Sequence, residues 1–168
     1  TEQFETDLAW VLENLPKVFK TKERAYILTS TGSGAMEAAL VNTISPTEKI
    51  LCIIGGKFGE RFSEIAKAYG MNVIAHNVEW GKSFKISDIE KILKENPDIK
   101  AVTCQACETS TGALNPVQDL GRIVAKTQAI LIVDGITALG ATTLDMDQWN
   151  LDIVVGGSQK AFMLPTGL

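Results

Sequence analysis

Short apolar runs, separated by stretches with a helical period, decide what this chain can become. Tyr26-Ile-Leu-Thr29, Lys49-Ile-Leu-Cys-Ile-Ile54, Asn72-Val-Ile-Ala75, Ala101-Val-Thr-Cys104, Ala129-Ile-Leu-Ile-Val133 and Asp152-Ile-Val-Val155 are mostly apolar without strict alternation. A strand that is apolar on both sides needs cover on both faces, which is the pattern of a buried parallel sheet. The stretches between them change period. Phe62, Ile65, Ala66 and Tyr69 fall on one helical face before Gly70; Ile86, Ile89, Ile92 and Leu93 do so before Pro97, and Val117, Leu120, Ile123 and Val124 after Pro116. Such a β-α-β-α series with right-handed crossovers predicts an α/β fold, three layers (α/β/α) around a mostly parallel, doubly wound sheet. No repeat, low-complexity tract or linker interrupts it. A length of 168 residues that are 45% hydrophobic suits one domain with a sizeable core.

Ligands of such sheets sit at the carboxyl ends of the strands. The segment Asp152-Ile-Val-Val-Gly-Gly-Ser-Gln-Lys160 leaves a core strand through a small-residue turn that carries a lysine. Desolvation there would lower the pKa of Lys160 and make it an imine-forming nucleophile; an ordinary loop lysine is the alternative. Ala129-Ile-Leu-Ile-Val-Asp134 closes on an acid. Either Asp134 awaits a cationic partner, such as a basic ligand nitrogen, or it caps backbone N–H groups of the next loop.

Other strand ends add polar chemistry. Thr29-Ser-Thr-Gly-Ser-Gly34 opens the helix Ala35-Met-Glu-Ala-Ala-Leu40. Its glycines, hydroxyls and positive helix end would cradle a phosphate, or it is a plain helix start capped by Ser30 or Thr31. It matches neither the dinucleotide fingerprint nor the Walker loop. Gly55-Gly-Lys-Phe-Gly59 sets Phe58 at a helix entrance, to stack on a flat ligand or to staple its own helix. In Glu108-Thr-Ser-Thr-Gly-Ala-Leu-Asn-Pro116, Thr109 or Ser110 could bind a ligand phenol oxygen.

Composition excludes several classes. A net charge of -4 without a basic cluster gives no footprint for nucleic acid. No apolar run approaches the roughly 20 residues that span a bilayer. Thr1-Glu-Gln-Phe-Glu-Thr-Asp7 does not read as a signal peptide, so a cytoplasmic location is expected. With three cysteines and one histidine, Cys104-Gln-Ala-Cys107 has no second pair and His76 lies far off, so no metal site is expected. A redox C-x-x-C should open a helix, and here Glu108-Thr-Ser-Thr-Gly112 follows. The thiols read as inert strand-end groups and His76 as a satisfied structural histidine.

Five segments carry a family resemblance. Ser33-Gly-Ala-Met-Glu-Ala-Ala-Leu40, Gly56-Lys-Phe-Gly-Glu-Arg61, Glu108-Thr-Ser-Thr-Gly112, Val133-Asp134-Gly135 and Gly157-Ser-Gln-Lys160 resemble, in this order, the landmarks of class V aminotransferases of fold type I. Among these the chain is most similar to the alanine–glyoxylate and serine–pyruvate or serine–glyoxylate group, over nearly all its length. The resemblance implies pyridoxal 5′-phosphate, carried on Lys160 as an internal aldimine, with Asp134 pairing the pyridine nitrogen. It implies that Phe58 stacks on the ring, that Thr31, Gly32, Ser33 and Gln159 bind the phosphate, and that Ser110 and Thr109 reach the ring hydroxyl. The implied reaction is transamination of a small amino acid, alanine or serine, with a 2-oxo acid such as glyoxylate or pyruvate. Freed Lys160 would shuttle the Cα proton. Cysteine desulfurases of this fold usually carry histidines where this chain has Phe58 and Gln159, and phosphonate transaminases commonly have Asn-Lys in place of Gln159-Lys160. The first departure disfavours a desulfurase, and the second tilts toward the glyoxylate or pyruvate group.

Members of the family are longer. Residues 1–168 correspond to a pyridoxal-phosphate-binding large domain, incomplete, without the N-terminal substrate-contact segment and the C-terminal small domain whose arginine grips the substrate carboxylate. The chain also stops just before a strand that in this fold runs antiparallel between the first strand and the one ending at Gly156. The expectation is a piece of a longer enzyme, weakly active or inactive alone, and a homodimer at full length. Two other classes remain: a non-catalytic relic or interaction domain, which the intact Asp134 and Lys160 argue against, and a nucleotide-binding or flavodoxin-like domain, which lacks its fingerprint.

Overall fold

The computed structural model describes residues 1–168. In chain order its elements are α1 (Glu2–Phe19), α2 (Gly32–Val41), β1 (Lys49–Ile54), α3 (Lys57–Ala68), β2 (Asn72–Asn77) and α4 (Ile86–Glu95). There follow β3 (Ile99–Gln105), β4 (Cys107–Glu108), β5 (Ala113–Leu114), α5 (Val117–Val124), β6 (Ile130–Asp134) and β7 (Ile153–Val155). Five strands make one parallel sheet in the order β2-β1-β3-β6-β7, and β4 with β5 forms a small antiparallel hairpin just beyond the carboxyl end of the central strand β3. No helix is long and apolar enough to cross a membrane.

The near-continuous apolar runs follow from two separate cores. Leu51, Ile53, Val102, Cys104, Leu131 and Val133 face α4 and α5, meeting Ile89, Leu93, Val117, Leu120 and Val124. The alternate residues Ile50, Cys52, Ile54, Ala101 and Ile132 face α2 and α3, meeting Met36, Leu40, Phe62 and Ala66. Each Leu, Ile or Phe removed fully from water contributes about 1.5–3 kcal/mol, so both faces must be covered for the sheet to persist. Five of the six expected strands and all four expected helices are present.

Tyr26–Thr29 is not a strand. Its backbone is unpaired, and Tyr26 is 74% exposed. A strand exists only through a neighbour's ladder. Gly167 O accepts from Ser30 N and Leu168 O from Ser158 N, each at 3.0 Å, so the last two residues pass between this segment and the turn beyond β7. No residue pairs with Tyr26–Thr29 itself.

The helix α1 had no counterpart among the expected elements. Thr1 caps it by accepting from Phe4 N, and it buries no residue, leaving Trp10 65% exposed. Only its carboxyl end is tied down, where Met146 N donates to Phe19 O at 3.1 Å and Thr21 donates to Asp147. His76 sits half-buried on the edge strand β2, paired in register with Ile53. Cys104 ends up buried in β3 and Cys107 partly buried in β4, both as free thiols.

Candidate active site

Four of the six buried polar residues, Gln105, Glu108, Asp134 and Ser158, lie at or just beyond the carboxyl ends of β3, β6 and β7. Asp134 closes β6, in register with Gln105 at the end of β3 and Val155 at the end of β7. It is 4% exposed, accepts from Ile136 N at 3.0 Å through Oδ1, and forms no ion pair. The capping reading of this acid is realised through Oδ1, and no cation pairs with the carboxylate. Burial pushes its pKa up to about 6; the Ile136 N–H pulls against this, the Glu108 carboxylate adds to it, and the Lys160 ammonium opposes it. Beside it Gln105 is 2% exposed with Nε2 lacking any partner. A buried donor left unmade costs about 1–3 kcal/mol.

The turn before α2 is shaped by its glycines. Thr31 is the N-cap, its hydroxyl accepting from Gly34 N at 3.2 Å. A Cβ on Gly32 would overlap Ile136 Cδ1, so backbone and Ile136 approach as closely as only glycine allows. Ser33 Oγ accepts from Arg61 Nη1 at 2.9 Å, bringing a guanidinium to a helix end that is already positive. Ile136 also packs where a Cβ on Gly157 would stand. One residue thus joins the α2 turn, Asp134 and the turn after β7.

The start of α3 is held from a distance. Its N-cap is Gly56, with no side-chain cap of its own. Glu108, 1% exposed, supplies the missing acceptors: Oε2 accepts from Phe58 N at 3.2 Å and Gly59 N at 3.1 Å. Its Oε1 lies 3.3 Å from Phe58 N and accepts from Ser110 N at 3.0 Å and Ser110 Oγ at 2.7 Å. Ser110 Oγ in turn accepts from Lys57 N at 2.9 Å. Phe58 is thereby fixed at the helix entrance, half-buried.

Thr109 is exposed and shares a hydrogen bond with Thr137 Oγ1. Gln159 is half-buried and makes no hydrogen bond to the α2 turn; its Oε1 lies against Gly157. Lys160 corrects an expectation. The strand β7 ends at Val155, so the lysine is carried out into an exposed turn rather than desolvated at a strand tip. Glu108, Arg61 and Ile136 had no assigned part, since each makes a contact far away in sequence, and Gln105 had none either. A separate cavity of about 480 Å³ lies at the opposite, amino end of β6 and β7, among Lys22, Thr127, Asp147 and Asp152.

The model of the aminotransferase class-V family matches residues 2–168. The chain belongs to that family. Among curated relatives, it is 40% identical over 168 residues to an uncharacterized aminotransferase of Methanocaldococcus jannaschii, covering 100% of this chain and 44% of the relative. It is 39% identical over 171 residues to a protein named soluble hydrogenase 42 kDa subunit from Anabaena cylindrica, covering 100% and 45%. The crystal structure of ureidoglycine–glyoxylate aminotransferase from Bacillus subtilis superposes with a TM-score of 0.94 at 34% identity, covering 99% of this chain and 43% of that one. The class V chain thus spans less than half the length of the relatives it matches.

Proposed function

We propose that residues 1–168 form the pyridoxal-5′-phosphate-binding part of an aminotransferase that moves an amino group between a small amino acid, alanine or serine, and glyoxylate or pyruvate. The observation that carries this reading is Asp134: a carboxylate almost wholly buried, half-capped by Ile136 and without a cation, at the carboxyl end of a central strand of a parallel sheet. A protonated pyridine nitrogen is the cation that such an acid would hold. The Gly32 cradle and the unpartnered Gln105 amide suit a ligand at the same place. The glyoxylate substrate is supported by the name of the Bacillus subtilis structure.

Pyridoxal phosphate supplies an electron-withdrawing ring that stabilises charge developing at a substrate Cα. The chain's own residues then have separable tasks. The free N–H groups of the α2 turn, with Thr31, Gly32, Ser33, the nearby Arg61 and, from the turn after β7, Gln159, would hold the phosphate. Asp134 would keep a proton on the ring nitrogen, and Phe58 would lie along the ring face. Thr109 and Ser110 would meet the ring oxygen. Lys160 Nζ, in a turn open to solvent, would hold the cofactor covalently at rest and, once displaced, take the substrate's Cα proton and return it. The family resemblance also implies a homodimer for the full-length protein, which its mass in solution would test.

The test is to mix the purified protein with pyridoxal phosphate, reduce with borohydride and locate the adduct by peptide mass spectrometry, beside Lys160→Ala. An adduct on Lys160, followed by pyruvate formation from alanine with glyoxylate, supports the reading. Undiminished transamination by Lys160→Ala would sink it.

A further inference from the structure

Glu108 poses a question of charge. Its carboxylate is taken out of water without a lysine or arginine beside it, and four donors compensate: Phe58 N, Gly59 N, Ser110 N and Ser110 Oγ. Burying a lone carboxylate is costly even so. Capping α3 alone would need only a short Ser or Asp at position 56. The acid comes instead from β4, about fifty positions away, and reaches the helix together with a serine.

We propose that Glu108 is a positioning residue of the cofactor site: it seats Phe58 at the entrance of α3 and commits the only proton of Ser110, so that Ser110 meets a bound ring oxygen as an acceptor. The inference rests on the cofactor reading above. A serine hydroxyl has one proton and two acceptor positions. Both Glu108 oxygens already accept N–H bonds, so the serine is the donor in the 2.7 Å bond between them. Lys57 N fills one acceptor position of Ser110 at 2.9 Å. One acceptor position is left for a ligand. A ring oxygen beside Ser110 must then bring its own proton, or draw the serine's proton away from Glu108.

The experiment uses the full-length protein loaded with pyridoxal phosphate, with loading confirmed by reductive trapping on Lys160. The pH midpoint of the bound cofactor's visible absorption is compared in the unsubstituted protein, Glu108→Gln and Ser110→Ala. In Glu108→Gln the amide can donate to Ser110 and a negative charge is gone. The serine proton is released toward the ring oxygen, and the midpoint falls by about one pH unit. Ser110→Ala does not raise the midpoint, because no donor is lost. In the cofactor-free protein, Glu108→Ala speeds hydrogen exchange at Phe58 and Gly59 about tenfold. A raised midpoint in Ser110→Ala, or an unmoved one in Glu108→Gln, overturns this inference while the trapped adduct leaves the cofactor reading standing. No trapping in the unsubstituted protein overturns both.

Discussion

Ile136 gives its backbone N–H to Asp134 Oδ1 at 3.0 Å, the one hydrogen bond that this buried carboxylate makes. It does not offset burial, and the pKa rises from 3.8 to about 6. The sign follows from linkage: with the folded pKa above the unfolded one, the stability tied to Asp134 is fully present below about 3.8 and is lost as pH rises through about 6. Asp134→Asn removes that dependence while keeping an oxygen for Ile136. In urea titrations of the cofactor-free protein, the variant should gain up to about 3 kcal/mol over the parent at pH 8 and little at pH 4. Its affinity for pyridoxal phosphate should fall. Equal pH slopes in variant and parent would contradict the account.

Gly32→Ala should separate stability from binding. The added Cβ meets the far end of the Ile136 side chain, which can rotate away, and alanine gains something in helix propensity, so stability should change by less than about 1 kcal/mol. The displaced Ile136 carries the N–H that caps Asp134 and the side chain that packs on Gly157. Binding of pyridoxal phosphate, followed by its absorbance, should weaken about tenfold; unchanged binding would show that the Gly32 contact does not shape the site.

Gly121→Ala should behave differently, because the obstacle is backbone. A Cβ there would run into the carbonyl oxygen of Trp149, which has no rotamer to take up the strain. Helix propensity in α5 favours alanine by about 1 kcal/mol, and overpacking costs about 1–3 kcal/mol or more, so the clash wins. The melting temperature should drop by roughly 5 °C. A variant as stable as the parent would mean that the 149–151 turn moves freely.

The thiols should be sluggish. Burial lifts Cys52 to about 11 and Cys104 much further, with the Asp134 charge adding to the latter. Cys107 is raised as well, by burial first and then by Glu108 and Asp134. Thiolate is the reactive form, so iodoacetamide at neutral pH should modify only Cys107, slowly, in the native protein, and all three in urea. Rapid labelling of Cys104 would show that β3 opens at its carboxyl end.

Most of the sheet was legible because Leu51, Val102 and Leu131 sit in runs whose length and apolarity follow from cover on both faces. Asp134 was legible for a similar reason, as an acid breaking such a run. Three features were not. Tyr26–Thr29 has the composition of a strand, but pairing is not a property of one segment. The helix α1 shows apolar residues at Phe4, Leu8, Val11, Leu15 and Val18, a helical period that is readable in retrospect although the helix buries none of them. Glu108 read as one letter of a hydroxyl-rich loop; its part depends on a helix start fifty positions earlier that lacks a cap, and no local pattern encodes that distance.

The same long reach bears on the order of events in folding. The first turn of α3 cannot complete its hydrogen bonds until residues 108–110 arrive, and closing a loop of that length carries an entropy that local helix formation does not meet. The rest of α3 can form on β1 and β2 early, whereas Lys57–Gly59 must wait for β3 and its hairpin. In pulsed hydrogen labelling during refolding, these three amides should gain protection late, after the body of their own helix.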